Sequence, residues 1–179
     1  RVEDYLKRAA PLPDYMDNTD RESLQFAVRS YAGYILARLN RAPLGSLRTL
    51  YDNHRKQAAS PLPLTHLGIA LERMGDMNRS EAALKSAVEM RPESDRYRAD
   101  YGTPLRDLAL TVSLLVENDK EGLEGMDGLL ADLGTALRQR RWLSTQEKNA
   151  LFSAGMALAE SEDISWSGTL KASGNEIQL

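Results

Sequence analysis

The chain has 179 residues, 42% of them hydrophobic and 27% charged, with a net charge of −3 and no cysteine. That length holds a domain with a real core, and the composition excludes disorder and membrane-spanning character. The slight acidity argues against a dedicated nucleic-acid binder, and the lack of cysteine excludes disulfides, thiolate metal sites and a cysteine nucleophile within these residues.

No run reaches transmembrane length and no signal-peptide pattern is present. The chain opens on Arg1 without an initiator Met, as expected of a fragment of a longer protein. Aromatic residues are only 6%, while Ala, Leu, Arg and Glu are abundant, which favours helices over strands.

Arg1 to Ala10 is expected to form a short amphipathic helix with Val2, Tyr5, Leu6 and Ala9 on one side, ended by Pro11, Pro13 and Asp14. PLPDYMDNTD reads as a loop. Asp20 is expected to cap a long helix from about Arg21 to Asn40, with Leu24, Ala27, Val28, Tyr31, Ile35 and Leu39 at helical spacing. Phe26, Tyr34 and Leu36 widen that stripe, so the helix should pack on more than one side.

Pro43 to Ser46 turns the chain, and Ser46 is expected to cap a helix from Leu47 to about Ala58. SPLPL, from Ser60, reads as a break. A helix from about Leu64 to Met74 should end on Gly75 as its C-cap. Asn78 and Glu81 have the spacing of a cap that opens a helix to about Arg91, with Ala83, Leu84, Ala87 and Val88 inside and Pro92 as its stop.

ESDRYRADYG reads as a longer polar loop. Thr103 and Pro104 are a cap followed by proline at the first helical position. Leu105, Leu108, Ala109, Val112, Leu115 and Val116 then form a helical stripe. Asp107 complements the dipole of that first turn. After the turn NDKEG, Leu123, Met126, Leu130, Leu133 and Leu137 form another stripe, ended by Arg138, Arg140 and Arg141 as a solvated basic helix end.

The clearest helix start lies in RRWLSTQEKNALFSAGMAL. Ser144 and Glu147 are spaced as a capping box, and Gln146 and Glu147 place negative character in the first turn. Leu151, Ala154 and Leu158, with Ala150 and Ala157 beside them, form a small-residue face suited to close packing. Trp142 and Leu143 are expected to anchor the helix start as a hydrophobic staple. From Ile164 the character changes. Ile164, Trp166, Thr169, Leu170, Ile177 and Leu179, with Gly168 and Gly174, look like one or two β-strands around a Ser-Gly-Asn turn.

The reading is therefore all-α, with about seven helices in antiparallel hairpins over residues 1–163 and a short β-like tail beginning at 164. Two architectures fit, an open solenoid or an α/α toroid. For the solenoid, Leu67, Gly68, Leu71, Gly75, Leu84, Ala87 and Pro92 fall near the places a tetratricopeptide repeat expects, with Ser80 where that repeat wants alanine. No second copy follows at a period of about thirty-four residues. Such a module would bind a protein or peptide partner.

Sites of chemistry are not apparent. No Gly-rich dinucleotide fingerprint, P-loop, zinc-protease helix or nucleophile elbow occurs. Glu117 to Glu121 lacks the calcium-loop pattern, and Glu160, Glu162 and Asp163 read as a solvated helix end. His54 and His66 have no neighbouring acid or cysteine at ligand spacing. Glu147 lacks a base or metal partner in the sequence. No inward carboxylate pair or aspartate-rich motif supports an enzyme on a toroid. No catalytic, cofactor-binding or metal-binding residue is assigned, and no enzyme activity is expected.

The toroid architecture follows from a resemblance. YGTPLRDLAL at Tyr101 to Leu110, followed by RRWLSTQEKNALFSAGMAL, resembles the later part of the thioester-domain region of bacterial alpha-2-macroglobulins. There a Tyr-Gly-(Ser/Thr)-x-(Leu/Ile)-Arg-Asp segment precedes a Trp-x-Ser-Thr-Gln-Glu segment, each opening a helix of the toroid. PLPLTHLGIALERMGDMNRSEAAL resembles the helix pair just before, so the likeness covers roughly Phe26 to Leu158. The resemblance implies part of a large periplasmic protease inhibitor, anchored at the inner membrane through the parent protein, that encloses a protease once a bait region is cut. Its implied partners are other domains of the same protein and target proteases, with no nucleic acid, and membrane contact only through an anchor elsewhere in the parent chain. Members with a Cys-x-Glu-Gln thioester acylate the protease. This chain has no cysteine, so such a group would lie upstream or be missing, and neither histidine aligns with an acyl-transfer histidine.

Overall fold

The computed structural model describes residues 2–7, 18–91, 102–161, 169–172 and 175–178. Among them are eight α-helices: α1 (Val2–Lys7), α2 (Asn18–Arg38), α3 (Leu44–His54), α4 (Pro61–Arg73), α5 (Met77–Glu89), α6 (Pro104–Val116), α7 (Met126–Arg138) and α8 (Thr145–Ser161). A 3-10 turn, Arg55–Gln57, extends α3. Strands β1 (Thr169–Ala172) and β2 (Asn175–Gln178) pair antiparallel, with Leu170 opposite Ile177 and Lys171 opposite Glu176. The expected stops at Pro11, Pro13, Asp14 and Pro92, most of the polar loop before Gly102, and Ile164, Trp166 and Gly168 lie outside the described residues.

The helices form two layers. α2, α4, α6 and α8 lie side by side in that order, and α3, α5 and α7 cover them, with α3 touching α5 and α5 touching α7. α1 packs on α2. The middle of the row is the most buried. Leu62, Leu64, Leu67, Ile69 and Leu71 of α4 are all inside, as are Leu105, Val112 and Leu115 of α6. A helix apolar round most of its circumference needs neighbours on several sides, and α4 has them in α2, α3, α5 and α6. The fold is all-α across this body.

Several helix starts depart from the sequence expectation. α2 begins at Asn18, so Asp20 lies inside its first turn rather than at the cap. α3 begins at Leu44 after Pro43, which leaves Ser46 within the first turn. Ser60 precedes α4, and the SPLPL run is helix rather than break. The first backbone N–H groups of a helix have no internal acceptor, so Pro61 and Pro63 sacrifice no hydrogen bond there. Gly75 ends α4 as expected. Its φ of +89° is a left-handed conformation open to glycine. The Gly75 N–H donates to Glu72 O and the Asp76 N–H to Leu71 O, the paired bonds of a Schellman ending.

Asp76, not Asn78, then caps α5, its carboxylate accepting from the Arg79 N–H at 3.3 Å. Asn78 and Glu81 fit the spacing of a cap, but the left-handed Gly75 turns the chain early enough for Asp76 to take the position first. In α7 the buried face is Met126, Leu129 and Leu133, while Leu137 is exposed and Leu123 sits in the preceding turn. Gly125 at φ +95° delays that helix past Leu123 and rotates the stripe.

Close packing defines two seams. A Cβ at Gly68 would lie 2.7 Å from Leu84 Cδ2, so the missing side chain lets α4 and α5 approach. Ala150, Ala154 and Ala157 are buried along α8, whose main neighbour is α6. These three alanines belong to the face expected from the sequence, while Leu151 and Leu158 are half-buried at its edge.

Candidate functional site

The N-termini of α6 and α8 are joined into one polar cluster. Thr103 caps α6, its Oγ1 accepting from the Arg106 N–H at 3.2 Å. Ser144 and Glu147 form the expected capping box on α8. The Glu147 N–H donates to Ser144 Oγ at 3.2 Å, and the Ser144 N–H donates to Glu147 Oε2 at 2.8 Å. The same Thr103 hydroxyl donates to Glu147 Oε1 at 2.9 Å, across the seam between the two helices. Arg140 approaches that oxygen at 3.8 Å.

Glu147 is therefore a buried carboxylate, 4% exposed, with both oxygens engaged. Burial pushes its pKa up. The Ser144 amide, the Thr103 and Ser144 hydroxyls and the Arg140 charge outweigh burial and hold the carboxyl below its usual range. An ionised acid so satisfied is a poor proton donor or acceptor at neutral pH, and the role its geometry supports is mechanical.

Asp107 extends the cluster. It lies in the first turn of α6, as expected, and is buried there, with Arg106 Nε and Nη2 donating to its Oδ1 at 2.9 and 2.7 Å. Its burial follows from its place one turn before Thr111, on a side of α6 that is itself inside.

Across the row, His66 of α4 packs between Tyr31 and Tyr34 of α2, with ring centroids 5.2 and 5.1 Å away. Burial first, and the Arg106 charge second, lower its pKa from 6.5 to about 4. It is a neutral packing histidine at pH 7. Arg38 lies over the Tyr34 ring, 5.8 Å from its centroid.

On the covering layer, Asp76 accepts from Arg48 of α3 and from Arg79, and Arg79 donates through Nε and Nη2 to the two carboxylate oxygens of Asp52. The Arg48 hydrogen bond is the main reason that Asp76 is held below its usual pKa, and the Arg79 hydrogen bond is the main reason for Asp52. This network ties α3 to α5. No group of three or more His, Asp or Glu suited to a metal ion occurs among the described residues. No helix among them is long and apolar enough to cross a membrane.

One expectation fails clearly. Trp142 is 74% exposed and is not a buried anchor. Leu143 packs against the core instead. The chain bends at Arg141 and Trp142 just before α8, and of the two apolar neighbours it is Leu143 that reaches the core. Of the basic trio, Arg138 and Arg141 are exposed, as expected of a helix end, while Arg140 turns back toward Glu147. The bond between Thr103 and Glu147 was not readable from sequence. Its only signal was that each residue belongs to a strong cap, and caps 44 positions apart carry no mark of being neighbours.

No family model matches the chain. It is 43% identical over 165 residues to the alpha-2-macroglobulin of Xylella fastidiosa strain Temecula1, covering 87% of this chain and 10% of that one. It is 46% identical over 148 residues to the alpha-2-macroglobulin of Escherichia coli strain K12, covering 82% and 9%. Among solved structures it is similar to Escherichia coli alpha-2-macroglobulin activated by porcine elastase, with a TM-score of 0.80 and 39% identity over 99% of this chain and 16% of that one. It is also similar to native Escherichia coli alpha-2-macroglobulin spanning domain MG7 to the C-terminus, with a TM-score of 0.82 and 39% identity over 99% and 27%. The chain thus spans about a tenth of the length of the curated relatives it matches.

Proposed function

We infer that this chain, which belongs to the bacterial alpha-2-macroglobulin family, serves as the later helical part of the thioester-domain toroid in a protein that traps attacking proteases. In this reading residues 1–163 belong to the toroid and the β segment from 164 leads out of it. The domain has no catalytic role of its own. Its work is to hold a reactive or bait-linked segment contributed elsewhere and to move as one body when the bait is cut. The parent protein is periplasmic, with any membrane anchor outside these residues. Its partners are its own other domains and the proteases it encloses.

The observation that carries this reading is the joined cap. The two segments on which the resemblance rests, YGTPLRD and WLSTQE, are bound to each other through Thr103 and Glu147. A domain that must move without deforming needs its helices tied at the ends as well as packed along their length. The structural likeness to a relative whose solved form is described as activated by porcine elastase supports a protease as the trigger.

A repeat-module reading has no observation of its own to favour it. Of the positions from Leu67 to Pro92 that suggested it, Gly68 serves the close approach of α4 and α5 that any tight helix pair needs.

The test is a trapping assay on the full-length parent protein. After reaction with elastase, hydrolysis of a small chromogenic peptide should persist while hydrolysis of a large protein substrate is lost, because a cage excludes by size. Equal loss of both, or loss of neither, would overturn the trapping reading.

A further inference from the structure

We propose that α7 is a salt-releasable strap, a covering helix that lifts off α6 as a unit when the ion pairs tying it to the α5 segment are screened. The proposal stands on contacts within this chain and does not depend on the trapping reading.

The strap is thinly anchored. α7 lies on α6 and touches α5. It buries Met126, Leu129 and Leu133, whereas α4 buries ten of its thirteen residues. Leu137, one turn beyond Leu133, is exposed, so the apolar stripe gives out at the C-terminal end of the helix. A helix with a small apolar footprint opens at a lower free energy than the core it covers.

The polar ties between α7 and the α5 segment are ionic. Lys85 Nζ of α5 pairs with Glu124 Oε2, in the turn leading into α7, at 3.2 Å. Arg91, just past the end of α5, pairs through Nε with Asp132 Oδ2 in the middle of α7. All four side chains are at least 40% exposed. Pairs so exposed are weak and are screened as salt rises. The helix α3 also buries little, but its tie to α5 runs from Arg48 to Asp76, which is itself buried.

The chain is pinned at both ends of the strap. Gly125, at φ +95°, sets the entering turn against α5, where a Cβ would lie 3.2 Å from Val88 Cγ2. Beyond the helix, the Arg140 guanidinium approaches Glu147 and Leu143 packs on the core. Opening is confined between these two points, and the clasp between Thr103 and Glu147 stays closed.

The experiment is native-state hydrogen exchange read by mass spectrometry, on the 179-residue chain and on the full-length parent protein at neutral pH. After correction for intrinsic rates, the amides of Leu130 to Leu137 should exchange at least about tenfold faster than those of Leu67 to Leu71 and Val112 to Leu115. Raising sodium chloride from about 0.05 to about 0.5 M should speed the α7 amides at least about threefold and leave the α4 and α6 amides unchanged. The surface double variant Glu124→Gln with Asp132→Asn should show the fast rate at low salt and no further response to salt. Equal rates in α7, α4 and α6 would overturn the proposal, as would α7 exchange that ignores salt. A double variant that still responds to salt like the parent sequence would overturn the role of these pairs. Amides of α7 as slow in the full-length protein as those of α4 and α6 would show that the rest of the polypeptide holds the helix down, and would equally overturn it.

Discussion

The Thr103 hydroxyl donates to Glu147 Oε1 at 2.9 Å while accepting from the Arg106 amide, so one oxygen caps α6 and grips the cap of α8. Removing it should cost more than an ordinary cap. Thr103→Val is expected to destabilise the chain by about 2 kcal/mol, from a lost N-cap and a buried carboxylate oxygen left short of a donor. Thr103→Ser should retain most of the stability. Urea denaturation at neutral pH measures both.

Trp142→Ala should change stability by no more than about 0.5 kcal/mol, because the ring is exposed. A buried anchor would instead cost about 3–5 kcal/mol. A thermal melt of the 179-residue chain decides between the two.

Gly68 and Gly155 predict opposite signs for one substitution. An added methyl at Gly68 meets Leu84 Cδ2 at 2.7 Å and Cγ at 2.8 Å, so Gly68→Ala should destabilise by about 1 kcal/mol after its helix-propensity gain is subtracted. Nothing lies within 4 Å of a methyl at Gly155 in α8, so Gly155→Ala should stabilise by about 0.5–1 kcal/mol. Chemical denaturation of the two variants checks both.

His66 makes stability fall on mild acidification. The unfolded chain takes up this proton near 6.5, the folded chain only near 4. Between those values the unfolded state binds more protons, so the contribution is whole above 6.5 and is lost as pH falls toward 4. The loss should reach roughly 2–4 kcal/mol. Glu147, Asp76 and Asp52, held below their ordinary values of 4.5, 3.8 and 3.8, add their own losses only at lower pH. Melting temperature followed from pH 7 to pH 4.5 should decline in the parent sequence and stay flatter in His66→Phe, which keeps the ring packed between Tyr31 and Tyr34.

Much of the fold was legible because its signals are local. The Thr103–Pro104 start, the Gly75 end and the Ser144–Glu147 box each involve residues within one helical turn, and all three stand as read. The all-α reading followed from apolar spacing in the same way. What failed depended on competition or on distance. Asp76 displaced Asn78 because Gly75 set the chain direction first, and Pro61 and Pro63 were read as breakers although a first turn tolerates them. Trp142 stands outside the core while its neighbour Leu143 packs on it, an order that two adjacent apolar residues do not reveal. The tie between Thr103 and Glu147, and the three-ring cluster of Tyr31, His66 and Tyr34, join separate helices and have no trace in a linear pattern.

The most direct test of the joined caps is a double-mutant cycle of Thr103→Val and Glu147→Ala, read by urea denaturation of the 179-residue chain. If the two helix starts act as one unit, the double variant will lose less than the sum of the two single losses, by a coupling energy of about 1 kcal/mol or more. Losses that add within about 0.3 kcal/mol would show that the two caps stabilise their helices independently, and would contradict the clamp.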